Sequence, residues 1–227
     1  MHLGTPTAEF LAAVLAYTIG GVPFGWLFAR AVRGVDLRTV GSGNVGATNA
    51  ARLWTGRRAV LAFVVVFLLD CAKGFAAAWL SPALGEWLGA STPGETMAVI
   101  CGSSAILGHV FTPYLSFRGG KGVATALGVV AAFATWPAVY AVGAWGLLVA
   151  ITGYVSLGSM VAMVSIPLTY LFRLGPKSFT PNVGILAFLT AISAIVVWRH
   201  RDNIARLLHG HERKVGACQR LSKTARI

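Results

Sequence analysis

The chain has 227 residues, 56% of them hydrophobic and only 11% charged, with a formal net charge of +12. Soluble domains carry about 25% charged residues, so this composition excludes an ordinary soluble domain and places the chain in a bilayer. The positive charge alone would suggest nucleic acid. Here, however, the basic residues cluster at the ends of apolar runs and no aromatic-rich nucleic-acid motif accompanies them, so no nucleic-acid partner is expected.

The first apolar run begins near Ala8 and continues to about Ala29. It lacks a small-residue cleavage pattern and is long enough to span, which predicts a first membrane helix rather than a removable signal. Further apolar runs extend from Ala59 to Leu80, Met97 to Phe117, Val123 to Ile151, Tyr154 to Phe172 and Val183 to Trp198. Each approaches the roughly 20 residues that a spanning helix needs. The fourth is long for one span, and Thr135-Trp136-Pro137 interrupts its middle, where proline disfavours a continuing helix, so it reads either as one tilted helix or as two short ones.

Loop charge orders these runs across the membrane. Arg30, Arg33, Arg38, Arg52, Arg57 and Arg58 fall in one loop against Asp36, and the segment from Arg199 onward is strongly basic. Both belong on the cytoplasmic side. The loop from Ser81 to Thr96 carries Glu86 and Glu95 and no basic residue, which fits the opposite face. Placing both basic regions on one side requires an odd number of crossings, so the fourth run is divided. The expected fold is an all-α, polytopic membrane helix bundle of about seven transmembrane helices, amino terminus outside and carboxy terminus cytoplasmic. Arg173 and Lys177 then fall outside, against the trend. Residues 1–210 are expected to form one membrane-embedded domain and 211–227 a basic cytoplasmic tail. No internal repeat appears. Cys71, Cys101 and Cys218 are widely spaced without a CxxC pair, which indicates neither a zinc site nor a disulfide framework.

Three polar segments carry chemistry. The first, Gly41-Ser42-Gly43-Asn44-Val45-Gly46-Ala47-Thr48-Asn49-Ala50-Ala51-Arg52, contains a formal GxGxxG. A dinucleotide site needs that string after a buried strand, with an acidic residue about 20 positions on; here it follows a basic loop and precedes an apolar helix. What remains is the local physics: small residues let backbone amides approach an anion, Ser42, Thr48, Asn44 and Asn49 add hydrogen bonds, and Arg52 adds a fixed charge.

The second segment, from Gly108-His109 to Arg118-Gly119-Gly120-Lys121-Gly122-Val123, has Gly-Lys without the upstream spacing of a phosphate-binding P-loop. Arg118 and Lys121 nonetheless flank two glycines at the mouth of a helix, where free amides and the positive dipole end suit a phosphate. The plainer reading is two basic side chains snorkelling at the membrane boundary. The third segment, His200-Arg201-Asp202-Asn203-Ile204-Ala205-Arg206-Leu207-Leu208-His209-Gly210-His211-Glu212, follows the last span directly. As a helix it places His200 and Asn203 on one face that Arg206 and Leu207 continue. By itself it also fits an ordinary juxtamembrane helix on anionic headgroups. Within the second span, Asp70 and Lys73 lie three apart, a spacing that suits mutual pairing or contact with a polar site. A lone histidine such as His109 near a helix end is more often a structural hydrogen-bonder than a catalyst.

Taken together, GSGNVGATNAAR, FRGGKGVAT preceded by GH, and HRDNIARLLHGHE resemble the three signature segments of the bacterial acyl-phosphate:glycerol-3-phosphate acyltransferases, the PlsY family. The resemblance extends over the whole chain, including the Asp-x-x-Lys-Gly pattern at Asp70 to Gly74; it departs at Asp202, where the family often has glutamate. It implies transfer of a fatty acyl group from acyl phosphate to the 1-hydroxyl of glycerol 3-phosphate, giving lysophosphatidic acid and phosphate in phospholipid synthesis. The implied setting is the bacterial inner membrane, with membrane lipid around the chain, the site facing the cytoplasm, and no cofactor or metal. By resemblance the catalytic positions are Ser42, Arg52, Lys121, His200 and Asn203. Gly41, Gly43, Asn44, Thr48, Asn49, Arg118, Gly119, Gly120 and Gly122 are the expected phosphate-binding surroundings. A different acyltransferase class uses His-xxxx-Asp; here His109 meets Tyr114 and His200 meets Ala205 at the fifth position. A transporter for a phosphorylated solute and a non-catalytic scaffold are the rival readings, and the first needs a path across the membrane that these one-sided segments do not provide.

Overall fold

A computed structural model describes residues 4–174 and 183–215. Lys177, Cys218 and the tail beyond Val215 lie outside the described residues. Among them the regular structure is all helical, with no strand. The helices run α1 (Thr5–Gly21), α2 (Phe24–Arg33), α3 (Ala47–Ala51), α4 (Gly56–Trp79), α5 (Ser81–Leu88) and α6 (Gly94–Val110). After a 3₁₀ turn at Pro113–Leu115 come α7 (Val123–Phe133), α8 (Thr135–Thr152), α9 (Val155–Leu174), α10 (Val183–Arg199) and α11 (Arg201–Leu208).

Five segments are long and apolar enough to cross a membrane: Thr5–Arg33, Gly56–Trp79, Gly94–Leu115, Thr135–Thr152 and Val155–Arg173. A sixth is formed by α10 and α11 taken together, bent by 55° at their junction. The protein is therefore a multi-pass membrane protein. The long fourth run is divided as expected, at Ala134, whose φ of −134° and ψ of 62° end α7 and open α8. The first half of that run, α7, has 11 residues and spans only about 17 Å at 1.5 Å per residue, about half a bilayer core.

The first run also departs from the expected single helix. It breaks at Val22–Pro23, because proline has no amide to donate and its ring drives the preceding residue out of the helical region. The third run likewise ends as α-helix at Val110 and turns through Pro113, with Ser116 and Phe117 at φ of 53° and 60°.

Helices pack here through small residues, because lipid offers no hydrophobic drive for large ones to meet. A Cβ on Gly20 would lie 2.2 Å from the Ala105 carbonyl oxygen, and one on Gly108 2.1 Å from that of Tyr17, so α1 and α6 touch backbone to backbone. Gly74 against Thr125 and Gly128 against Cys71 do the same for α4 and α7. Large side chains such as Phe10, Leu61 and Phe172 face outward. This close packing holds α7 at the centre, with Ala126, Val129 and Val130 fully buried and its amino-terminal end at the polar site.

Candidate active site

The loop between α2 and α3 is built on buried Leu37, which packs with Ala29, Ala47, Ala50, Leu53 and Val66, and on buried Val45. Its hub is Asn49, 2% exposed. The Asn49 amide nitrogen donates to the carbonyls of Leu37 (3.1 Å), Val40 (3.1 Å) and Asn44 (2.8 Å), while its side-chain oxygen accepts from the Ser42 amide (3.1 Å). Gly41 and Gly43, at φ of 63° and 70°, allow the tight turn that carries Ser42 between them. Asp36 braces the loop from outside, accepting from Arg38 and from Trp26 Nε1; the Arg38 guanidinium holds its carboxyl down at about 2. Arg52 caps the carboxy end of α3. It makes no hydrogen bond or ion pair among the described residues, and burial followed by the nearby Arg213 lowers its pKa.

Lys121 and Gly122 stand at the start of α7, with Gly122 at φ of 87°. Lys121 Nζ donates to Asn203 Oδ1. Burial pushes the Lys121 ammonium down to about 8, with Glu212 opposing and Arg206 and Arg52 adding to the shift. His200 sits at the bend between α10 and α11, 3% exposed, with Nδ1 2.8 Å from the Val196 carbonyl. If Nδ1 carries the proton in that bond, the ring's lone pair is left on Nε2. Buried Asn203 and half-buried Arg206 and Leu207 continue the inward face of α11, as the spacing predicts.

Glu212 completes this corner. Its Oε1 accepts from Asn203 Nδ2 (2.6 Å) and Ser156 Oγ (2.8 Å), and its Oε2 accepts from Arg206 Nε (2.7 Å). Burial raises its pKa, but these three hydrogen bonds outweigh burial and keep the carboxyl below its usual range. Asn203 is thereby fixed in orientation, its oxygen toward Lys121 and its nitrogen toward Glu212.

Ser42, Arg52, Lys121, His200 and Asn203 all line one cavity, and Asn44, Thr48, Asn49 and Gly122 line it with them. Gly41 and Gly43 shape the loop without lining the cavity. Arg118, expected beside Lys121, is exposed and does not reach it, because the left-handed turn at Ser116–Phe117 leaves it outside. The amides of Gly119 and Gly120, expected to face a phosphate, instead donate to the carbonyls of Val110 (3.1 Å) and His109 (3.0 Å). Their own carbonyls accept from Arg199. Four ionisable lining residues lie outside the catalytic and phosphate-binding sets expected from sequence: Asp70, His109, Glu212 and Arg213. The cost of ionisable groups at membrane depth was a signal for the first two; nothing in local spacing marked Glu212 and Arg213. Beside these polar groups the cavity has an apolar wall, with Phe63, Phe67, Leu127, Trp145, Met163 and Ile166. Phe63 stacks on both Phe67 and Trp145.

The fold and the cavity are those of an integral membrane protein with a cationic, hydrogen-bonding rim beside an apolar wall, a lining of the kind that suits an amphiphile with an anionic head. Residues 10–210 match the model of the family described as "Glycerol-3-phosphate acyltransferase". The chain is 42% identical over 210 residues to a glycerol-3-phosphate acyltransferase of Aromatoleum aromaticum, covering 92% of this chain and 98% of the relative. It is 40% identical to one of Rhizobium etli, covering 91% of each. Its fold matches a crystal structure of PlsY (YgiH), an integral membrane glycerol 3-phosphate acyltransferase, in the glycerol 3-phosphate form, with a TM-score of 0.77 and 38% identity over 92% of this chain and 96% of that one. A second structure of PlsY, in the lysophosphatidic acid form, gives a TM-score of 0.74 at 35% identity over 92% and 95%. The chain belongs to the glycerol-3-phosphate acyltransferase family of PlsY type.

Proposed function

We propose that this protein transfers a fatty acyl group from acyl phosphate to the 1-hydroxyl of glycerol 3-phosphate, giving lysophosphatidic acid and inorganic phosphate. The observation that carries the reading is the convergence of Ser42, Arg52, Lys121, His200 and Asn203 from three separated stretches on one cavity that also has an apolar wall. Phosphates belong at the rim and the acyl chain against that wall.

In the reaction the glycerol hydroxyl oxygen attacks the acyl carbonyl carbon, the bond from that carbon to the phosphate oxygen breaks, and phosphate leaves with the bonding pair. An acyl phosphate is already activated, so positioning and electrostatics suffice without a covalent enzyme intermediate. Arg52 and Lys121 hold the phosphates and neutralise the departing one, while Ser42 and Asn203 orient substrate oxygens. The hydroxyl proton passes either to His200 Nε2 or to a phosphate oxygen. His200→Gln separates the two: loss of a general base lowers kcat by about 10²–10⁴, whereas loss of an orienting contact raises KM.

The basic loop carrying Ser42 and Arg52 and the basic segment carrying His200 and Asn203 share this site, which favours its placement on the cytoplasmic face of a bacterial inner membrane. Purified protein in detergent should release phosphate and form lysophosphatidic acid only when acyl phosphate and glycerol 3-phosphate are both present. Uptake confined to sealed vesicles, with no product in detergent, would establish a transporter instead.

A further inference from the structure

Asp70 and His109 line the cavity and Lys73 pairs with Asp70, yet the acyl-transfer reading gives none of the three a task. Asp70 and Lys73 sit one turn apart on α4, and His109 sits near the end of α6, at 3%, 5% and 7% exposure. Lys73 Nζ is 2.7 Å from Asp70 Oδ1, and His109 Nδ1 is 3.6 Å from the same oxygen. Desolvating an ion pair is expensive, and apolar residues of similar volume would pack there without that cost. The arrangement therefore calls for a reason beyond stability.

Each partner of Asp70 grips a different part of the site. Lys73 also donates to the Val22 carbonyl (2.7 Å) and lies over the Phe24 ring at 5.5 Å. Val22 is the break between α1 and α2, so Lys73 fixes the point from which α2 sets off. In α2, a Cβ on Gly25 would lie 2.1 Å from the Val45 carbonyl oxygen. Nothing separates α2 from the loop that carries Ser42. On the other side, the His109 carbonyl accepts the Gly120 amide, and a Cβ on Gly120 would lie 2.1 Å from His109 Nε2. The His109 ring is the backstop for the residue immediately before Lys121.

We propose that Asp70, Lys73 and His109 form a buried positioning triad for acyl transfer, with Asp70 the shared anchor through which Lys73 sets the Ser42 loop and His109 sets the Lys121 loop. This rests on reading the cavity as the glycerol 3-phosphate site. The three are positioning residues, and their contribution is the relative placement of two loops that hold one substrate. Loosening the triad lowers affinity for glycerol 3-phosphate in protein that is still folded.

The test uses the full chain purified in detergent. The paired variant Asp70→Asn/Lys73→Met removes both charges with little change of volume and leaves neither charge unpaired. His109→Gln is a smaller perturbation that decides the matter if the pair does not fold. Steady-state kinetics with each substrate varied, alongside the thermal midpoint, should give a KM for glycerol 3-phosphate raised tenfold or more, with KM for acyl phosphate changed less and the midpoint close to that of the unaltered chain. Unchanged KM values, with activity falling only in proportion to folded protein, would overturn the proposal and leave the triad a structural feature. Failure of the unaltered chain itself to turn over both substrates would count instead against the acyl-transfer reading.

Discussion

At the scale of single residues, the cavity gathers cations, of which Lys121 is held by Asn203 while Arg52 is paired with none of the described residues; nearby Arg206 is held by Glu212. Lys121 is the clearest case. Truncating it removes a charge-assisted hydrogen bond of about 1.5–3 kcal/mol, so Lys121→Ala should raise KM for glycerol 3-phosphate by about ten- to a hundredfold; unaltered affinity and turnover would remove it from the site. Burial holds its ammonium at about 8 in the free protein, so its charge is present below that pH and is lost as pH rises through it. The expected consequence is a kcat/KM for glycerol 3-phosphate that falls on the alkaline side with an apparent pKa near 8, read from a profile between pH 7 and 10. Asp202, by contrast, has a side chain 75% exposed and only a loose 3.9 Å approach to Arg201. Asp202→Glu should therefore leave activity and thermal midpoint unchanged, within about 0.5 kcal/mol.

At the scale of elements, the three polar segments meet because the carboxy end of α3 and the amino ends of α7 and α11 come together at one cavity. The inward face of α11 was legible from the three-residue spacing of His200 and Asn203. The loop around Ser42 was legible as a tight turn of small residues, but Asn49 proves to be its internal hub, a role that no spacing shows because the partners named for it are backbone carbonyls and a backbone amide. Gly119 and Gly120 were misread for a related reason. Glycine beside lysine suggests bare amides for phosphate, whereas here the glycines allow the chain to lie against His109 and Val110. Helix packing carries its own prediction. A side chain on Gly128 would meet the Cys71 carbonyl oxygen at 2.0 Å, so Gly128→Leu should force α4 and α7 apart, costing about 1–3 kcal/mol or more. A thermal midpoint in detergent that does not fall would contradict this contact.

At the scale of the whole molecule, membrane residence and helical class follow from composition, and the division of the fourth run follows from Pro137. The break at Val22–Pro23 was hidden inside an apolar run, since hydropathy does not register a change of direction. Glu212 was assigned to a tail, yet it ties α11, α9 and the cavity together through Asn203, Arg206 and Ser156. Long-range pairings of this kind, across 56 residues for Ser156, have no local signature. In the proposed function, cations from distant stretches act as one site for a phosphate head. The most direct measurement is the affinity of the detergent-purified chain for glycerol 3-phosphate, by calorimetry, with Arg52→Ala and Lys121→Ala alongside. Binding to the unaltered chain weakened tenfold or more by each substitution is the predicted result; equal binding in all three proteins would contradict it.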